Sequence, residues 1–272
     1  MNKQISILGT GWLGLPLAQA FIDQNYTVKG STTSISKLDS LQKEGISPFL
    51  VSLTESATKG SINAFLEESE ILIINVPPGL RRNPDSNFVA KIQNLIPHIE
   101  NSSIKNVLFI SSTSVYADRL DYPVITTESL PDASHNAGKQ LIAAELLLQN
   151  TISFKTTVLR FAGLFDERRH PATMLSKRKG IKNPLAPVNL IHREDCIHII
   201  NRIITTNSWN HIFNASSPNH PAKAAYYGAV CKKMELPIPD YDYDTISKGK
   251  IIDASTMEKV LEYKFIKDLI SR

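Results

Sequence analysis

The chain has 272 residues, a hydrophobic fraction of 42%, a charged fraction of 21% and a formal net charge of +4. That balance describes a soluble globular protein with a full core, built as one large domain or a domain with a small lobe. It excludes a membrane-embedded chain, since no apolar run approaches the roughly 20 residues a membrane helix needs, and the mild charge comes without the basic stripe of a nucleic-acid binder. Cys196 and Cys231 are the two cysteines and lie far apart, which fits a reducing cytoplasm and neither a metal cluster nor a disulfide framework. The chain enters a strand at once, so no signal peptide is expected. The charge weakly implies an anionic small molecule as partner.

The first stretch reads ISILGTGWLG over Ile5–Gly14. Ile5, Ile7 and Leu8 form the apolar run of a buried parallel strand. Gly9, Gly11 and Gly14 follow, and then LPLAQAFIDQ has helical spacing. Strand, glycine turn and helix are the context in which G-x-G-x-x-G signals a dinucleotide site. Gly9 permits the tight turn, Gly11 lets a pyrophosphate approach the backbone, and Gly14 lets helix and strand pack closely. Gly9, Thr10, Gly11, Trp12, Leu13 and Gly14 are therefore the expected pyrophosphate cradle, with the first N–H groups of the helix facing the anion.

Residues 26–30 predict a second strand. A chain that binds NAD places an acid at its end, about 20 residues past the glycines. Here stand Gly30, Ser31, Thr32 and Thr33, with Lys37 a turn later and Asp39 too deep in the next helix. Hydroxyls and a cation suit a 2′-phosphate, so NADP is favoured over NAD. The hydroxyls also suit capping of a helix that begins near Ser36.

A third strand fits 48–53, a short helix 61–69 and a buried strand 71–79 that ends in a turn. Asn75, Val76, Pro77 and Pro78 stand at its carboxyl end, where ligands lie in open α/β sheets. The prolines either stiffen a wall beside the cofactor or simply end the strand. A polar loop over 80–86 leads to a helix over 87–101, which Pro97 should end or kink.

NVLFISSTSVY over 106–116 begins as a strand and turns polar. Ser111, Ser112 and Thr113 either donate to a substrate oxygen or close backbone hydrogen bonds, and Ser111 is also expected among the cofactor contacts. A loop over 117–132, a helix over 137–150 with Lys139 and Glu145, and a strand over 156–165 complete the alternation. The fold expected is α/β, a doubly wound parallel Rossmann sheet. Beyond Asp166 the pattern loosens over 166–188, where the basic run 176–182 reads as a solvated face. A late strand over 211–216 and a smaller helical segment with YDYD at 241–244 follow. The expected division is a dinucleotide-binding domain over 1–215 and a small substrate lobe over 216–272, with the loop 166–188 contributing.

Together these motifs resemble the extended short-chain dehydrogenase/reductase superfamily, of the NAD(P)-dependent epimerase/dehydratase type, and most of all its atypical bacterial members. The carriers are GTGWLG at 9–14, NVPPG at 75–79, SSTSVY at 111–116, LRFAGLF at 159–165, NLIHREDC at 189–196 and FNASS at 213–217. The resemblance implies hydride transfer between a nicotinamide and a carbon bearing oxygen. It further implies a Ser or Thr on that oxygen, a Tyr that moves the proton, and a Lys four residues later that binds the ribose and lowers the Tyr pKa. Ser112 matches the Ser, with Thr113 adjacent, and Lys139 matches the Lys.

The Tyr position departs from the pattern, because His135 stands four residues before Lys139. Three readings stay open: His135 acts as acid/base, Tyr116 projects from the strand end and substitutes, or the protein binds dinucleotide without fast redox chemistry. Asn189, His192 and Asp195 either touch substrate or organise their junction. The resemblance thus implies an NADP-dependent oxidoreductase or epimerase for a small, sugar-like or nucleotide-sugar substrate. The competing expectation is a redox sensor or scaffold.

Overall fold

The computed structural model describes residues 3–80 and 82–269. β1 (Gln4–Leu8) is buried along its whole length, as a central parallel strand covered on both faces should be. Its polar members are satisfied internally: Ser6 Oγ donates to the Phe65 carbonyl at 2.6 Å and Gln4 Nε2 to that of Glu67 at 2.9 Å. α1 (Gly14–Ile22) turns Leu17, Ala18 and Phe21 inward, the stripe expected of a helix on a sheet. β2 (Thr27–Thr32), α2 (Leu38–Lys43) and β3 (Ser47–Leu53) follow. β4 (Thr58–Gly60) is a three-residue edge strand antiparallel to β3. TKG carries no alternation that would reveal it in the sequence.

α3 (Ile62–Leu66) and β5 (Ile71–Ile74) lead to α4 (Phe88–Glu100). β5 stops at Ile74, so 75–79 is loop rather than strand. Pro97 does not end α4. Leu95 and Ile99 are buried on its inner face, and the backbone N–H and Nδ2 of Asn101 both donate to the Pro97 carbonyl. β6 (Asn106–Ser112) gives way to a 3-10 turn at Thr113–Val115 instead of running to 116.

After β7 (Val124–Ile125) and α5 (Asn136–Asn150) come β8 (Lys155–Phe161) and β9 (Gly163–Phe165). The single strand expected over 156–165 breaks at Ala162. The Ala162 N–H bonds to Ala215, whereas the Gly163 N–H turns to Asn189. α6 (Ala172–Leu175), β10 (Leu190–His192), α7 (Arg193–Thr205), β11 (Ile212–Ala215), α8 (Lys223–Lys233), β12 (Ile251–Ile252) and α9 (Ser255–Leu261) complete the described chain.

The main sheet has eight strands in the order β11-β8-β6-β5-β1-β2-β3-β4. β1 pairs in parallel with both β2 and β5, and β2–β3 and β5–β6 are parallel as well. The sequence led one to expect a parallel α/β sheet, and the sheet is mostly parallel, with β4 antiparallel at its edge. Strand order reverses between β1 and β5, so their carboxyl ends form the topological switch point.

Contacts divide the chain into two compact units that interleave in sequence. Unit 1 comprises residues 1–112, 135–160 and 200–212, and unit 2 comprises 113–134, 161–199 and 213–272. The boundary expected at 215 therefore falls elsewhere: two earlier insertions, after β6 and after β8, belong with the carboxyl-terminal segment. Unit 2 has its own core of Ala172, Val188, Leu190, Tyr226, Tyr227, Cys231 and Leu269. It also holds two small parallel pairs, β9–β10 and β7–β12. Among the described residues no helix is long and apolar enough to cross a membrane.

Candidate functional site

In unit 1 the glycine loop sits at the switch point, between β2 and β5. Gly9 has φ +103°, and a Cβ there would lie 2.6 Å from the Asn75 carbonyl oxygen. A Cβ on Gly14 would lie 2.1 Å from the Gly9 oxygen, so helix and loop touch backbone to backbone. Gly11 faces open space, with nothing within 4 Å of a built Cβ. These three environments are the tight turn, the close packing and the open approach that a pyrophosphate cradle needs. Leu13 is buried in the core and Trp12 half-buried, so Leu13 offers a ligand only its backbone.

The expected cofactor contacts separate into two groups. Ser31 is 2% exposed and its hydroxyl accepts the Gly9 N–H at 2.9 Å. Its carbonyl accepts from both the N–H and the hydroxyl of Thr10. Asn75 donates its Nδ2 to the Gly9 carbonyl at 3.0 Å. Ser31, Thr10 and Asn75 thus hold the loop itself. Thr33 and Lys37 are exposed beyond the end of β2, and Thr32 is half-buried with its hydroxyl accepting the Ser34 N–H. Pro77 is exposed, with Val76 and Pro78 half-buried.

At the end of β6, Ser111 is not available to a cofactor through its side chain. It is buried and donates to Glu145, which a fork from Arg160 also engages at 2.6–3.2 Å. Glu145 and Arg160 are both nearly inaccessible. Ser112 is half-buried on the same strand end. Thr113, the adjacent candidate, is buried in the 3-10 turn.

The candidate proton donors are placed elsewhere than expected. His135 is the N-cap of α5, and its Nδ1 accepts the Gly138 N–H at 3.0 Å. That nitrogen is committed to the helix end, which leaves Nε2 as the atom through which His135 could move a proton. Lys139 is exposed, while the buried face of α5 carries Gly138, Leu141, Ala144, Glu145 and Leu148. Its match to the ribose-binding Lys therefore rests on sequence spacing alone. Tyr116 does not project from the strand end. It is 2% exposed within unit 2, and its hydroxyl donates to Asn214 Oδ1 at 3.1 Å.

The NLIHREDC residues organise unit 2. Asn189 donates to the Lys250 carbonyl and accepts from the Ile252 N–H, pinning β12. His192 Nδ1 accepts the Glu194 N–H, and its Nε2 faces Glu167 at 3.2 Å. Asp195, 1% exposed, accepts from the Tyr263 hydroxyl at 2.6 Å and from the N–H groups of Ile266 and Lys267. Burial and this anionic partner push the Tyr263 hydroxyl far up. His170 Nδ1 accepts the Ala172 N–H, which leaves its Nε2–H to meet the Tyr226 hydroxyl at 3.1 Å. Burial pushes that hydroxyl up to about 12.

Unit 2 also carries an open surface hollow of about 600 Å³ lined by Pro184, Leu185, Ala222, Pro239, Tyr241 and Tyr243 among others. Burial holds the Tyr241 phenol protonated, pushing it up to about 12. The basic run 176–182 keeps Lys177, Arg178, Lys179 and Lys182 in solvent.

Sequence reasoning missed the Glu145–Arg160 pair and the Ser31 latch. A signal for the first was present, since each charge interrupts an otherwise apolar face. No family model matches the chain. Protein YeeZ of Escherichia coli K12 is 30% identical over 272 residues, covering 98% of both chains. Among solved structures, UDP-glucuronic acid 4-epimerase from Bacillus cereus in complex with NAD superposes with TM-score 0.82 at 15% identity, covering 98% of this chain and 93% of that one. UDP-glucose 4-epimerase from Thermotoga maritima, with UDP-glucose, gives 0.80 at 15% identity over 98% and 94%. A short-chain dehydrogenase/reductase superfamily protein from Agrobacterium tumefaciens with bound NAD gives 0.78 at 16% over 98% and 93%.

Proposed function

The chain belongs to the family of protein YeeZ, and on that premise we propose an NADP(H)-binding oxidoreductase or epimerase-like protein of the extended short-chain dehydrogenase/reductase type for a small, anionic, sugar-like substrate. The observation that carries the reading is the glycine loop at the switch point, with positions 9 and 14 closed to any side chain and position 11 open. The main chain of residues 11–14 would hold the pyrophosphate, with the start of α1 behind it. Thr33 and Lys37 would meet a 2′-phosphate, and no acid stands at that strand end to meet a bare ribose. The nicotinamide supplies or accepts a hydride at C4 when bound. Ser112 would orient the reacting oxygen. Within unit 2, the open hollow bordered by Tyr241 and Tyr243 is a candidate place for a sugar-like ligand. Nucleotide-sugar epimerases that share the fold support that substrate class. Two buried, unpaired thiols suit a reducing cytoplasm.

A second reading, a dinucleotide sensor or scaffold without turnover, is favoured by one observation. Both replacement proton donors are engaged in structural hydrogen bonds. Incubating the protein and NADPH with a panel of nucleotide sugars and small aldehydes separates the two. Loss of nicotinamide absorbance with any of them, or chromatographic conversion of a nucleotide sugar with NADP+ at constant absorbance, supports the enzyme. Binding with no turnover across the panel supports the sensor. Absence of binding overturns both.

A further inference from the structure

Residues 9 and 10 are pinned from both flanking strands before any ligand is considered. From β2, Ser31 accepts the Gly9 N–H at 2.9 Å on its hydroxyl, and the Thr10 N–H and hydroxyl at 3.0 and 2.7 Å on its carbonyl. From the end of β5, Asn75 Nδ2 donates to the Gly9 carbonyl at 3.0 Å, and the Asn75 N–H bonds to the Leu8 carbonyl at 2.9 Å. Both polar groups of Gly9 are therefore occupied, in a residue whose φ of +103° is held by nothing covalent. Gly30, next to Ser31, brings β2 close enough for this. A Cβ there would lie 2.7 Å from the Thr10 side chain.

We infer that Ser31 and Asn75 are positioning residues for dinucleotide binding, which preorganise the glycine loop and touch no part of the cofactor. The inference rests on the reading of unit 1 as the dinucleotide site. A loop frozen in its binding shape avoids the ordering cost on association, so the latch acts on affinity for every dinucleotide alike. It also takes Ser31 out of the choice between NADP and NAD, leaving that choice to Thr33 and Lys37.

The test measures NADPH and NADH affinities by titration calorimetry on wild type, Ser31→Ala, Asn75→Ala and Lys37→Ala. It adds amide hydrogen exchange of the free proteins. Loss of one such hydrogen bond should weaken both cofactors about five- to tenfold, by the ordinary worth of a hydrogen bond, with their ratio unchanged. Lys37→Ala should instead change the ratio. Exchange should accelerate at Gly9 and Thr10 while the amides of α4 stay as protected as in wild type. Unchanged affinities in both latch variants overturn the inference and leave the site reading intact. A loss confined to NADPH in Ser31→Ala also overturns it, since Ser31 would then be a phosphate contact. Faster exchange everywhere overturns it in favour of general destabilisation. Wild type that binds neither cofactor overturns the site reading and the inference together.

Discussion

The glycine loop and the first turn of α5 are both places where the superfamily resemblance assigns a function, and they have fared differently. At the loop the steric constraints on the glycines are met, down to a Cβ on Gly14 that would fall 2.1 Å from backbone. At the start of α5 the residue types expected for proton transfer are absent or turned aside. His135 caps the helix, Lys139 lies in solvent, and Leu141 occupies the buried face. The difference teaches that a binding device made of main chain and a chemical device made of side chains can part company within one domain. The first needs glycines and packing, which the fold itself maintains. The second needs particular groups, which can be replaced without harm to the fold.

The largest effect expected on either side of that comparison is at Gly14. Gly14→Ala forces helix and loop apart and should cost about 4 kcal/mol or more, with dinucleotide binding lost in calorimetry. Next comes Glu145→Ala, which removes the buried carboxylate that the Arg160 fork engages beneath the hydroxyl-bearing strand end. It should cost about 3 kcal/mol in urea unfolding. Replacing both partners by Met and Leu should restore most of that stability, because an apolar pair of similar volume leaves no charge unsatisfied.

His135→Ala removes only the cap, so it should lower stability by about 1 kcal/mol and leave any NADPH turnover within twofold of wild type. A hundredfold fall in turnover would return His135 to the chemistry. The smallest effect concerns the loop that follows Tyr116. The Ala117 N–H, and after it Arg119, hold the Asp132 carboxyl below the usual aspartate range. Its folded pKa is depressed, so the contribution is complete above the ordinary aspartate pKa of about 3.9 and fades as pH falls through the lowered value. The melting difference between wild type and Asp132→Asn should vanish on acidification. The side chain is partly exposed, which keeps the effect small.

The sheet was legible in the sequence because its central strands are mostly apolar runs, as at Ile5–Leu8 and Ile71–Ile74, and because glycines and prolines punctuate them. The short pieces were not: β4, and the β9–β10 pair that splits the run 156–165, are three residues each, too short to show alternation, and β9 finds its partner well along the chain. At the site the glycines were legible, since their requirement is steric and local. Serines were not. Ser31, Ser111 and Ser112 have the same hydroxyl, and only the fold decides that Ser31 turns to Gly9 and Ser111 to Glu145. Tyr116 was misplaced for the same reason, as its buried partner Asn214 lies 98 residues away along the chain.

Everything proposed for this protein depends on a nicotinamide dinucleotide occupying the loop at residues 9–14. Isothermal titration of the intact protein with NADPH and with NADH tests that most directly. One-site binding of both, with NADPH the tighter, is the result expected. No heat with either, from protein that circular dichroism shows to be folded, would contradict it.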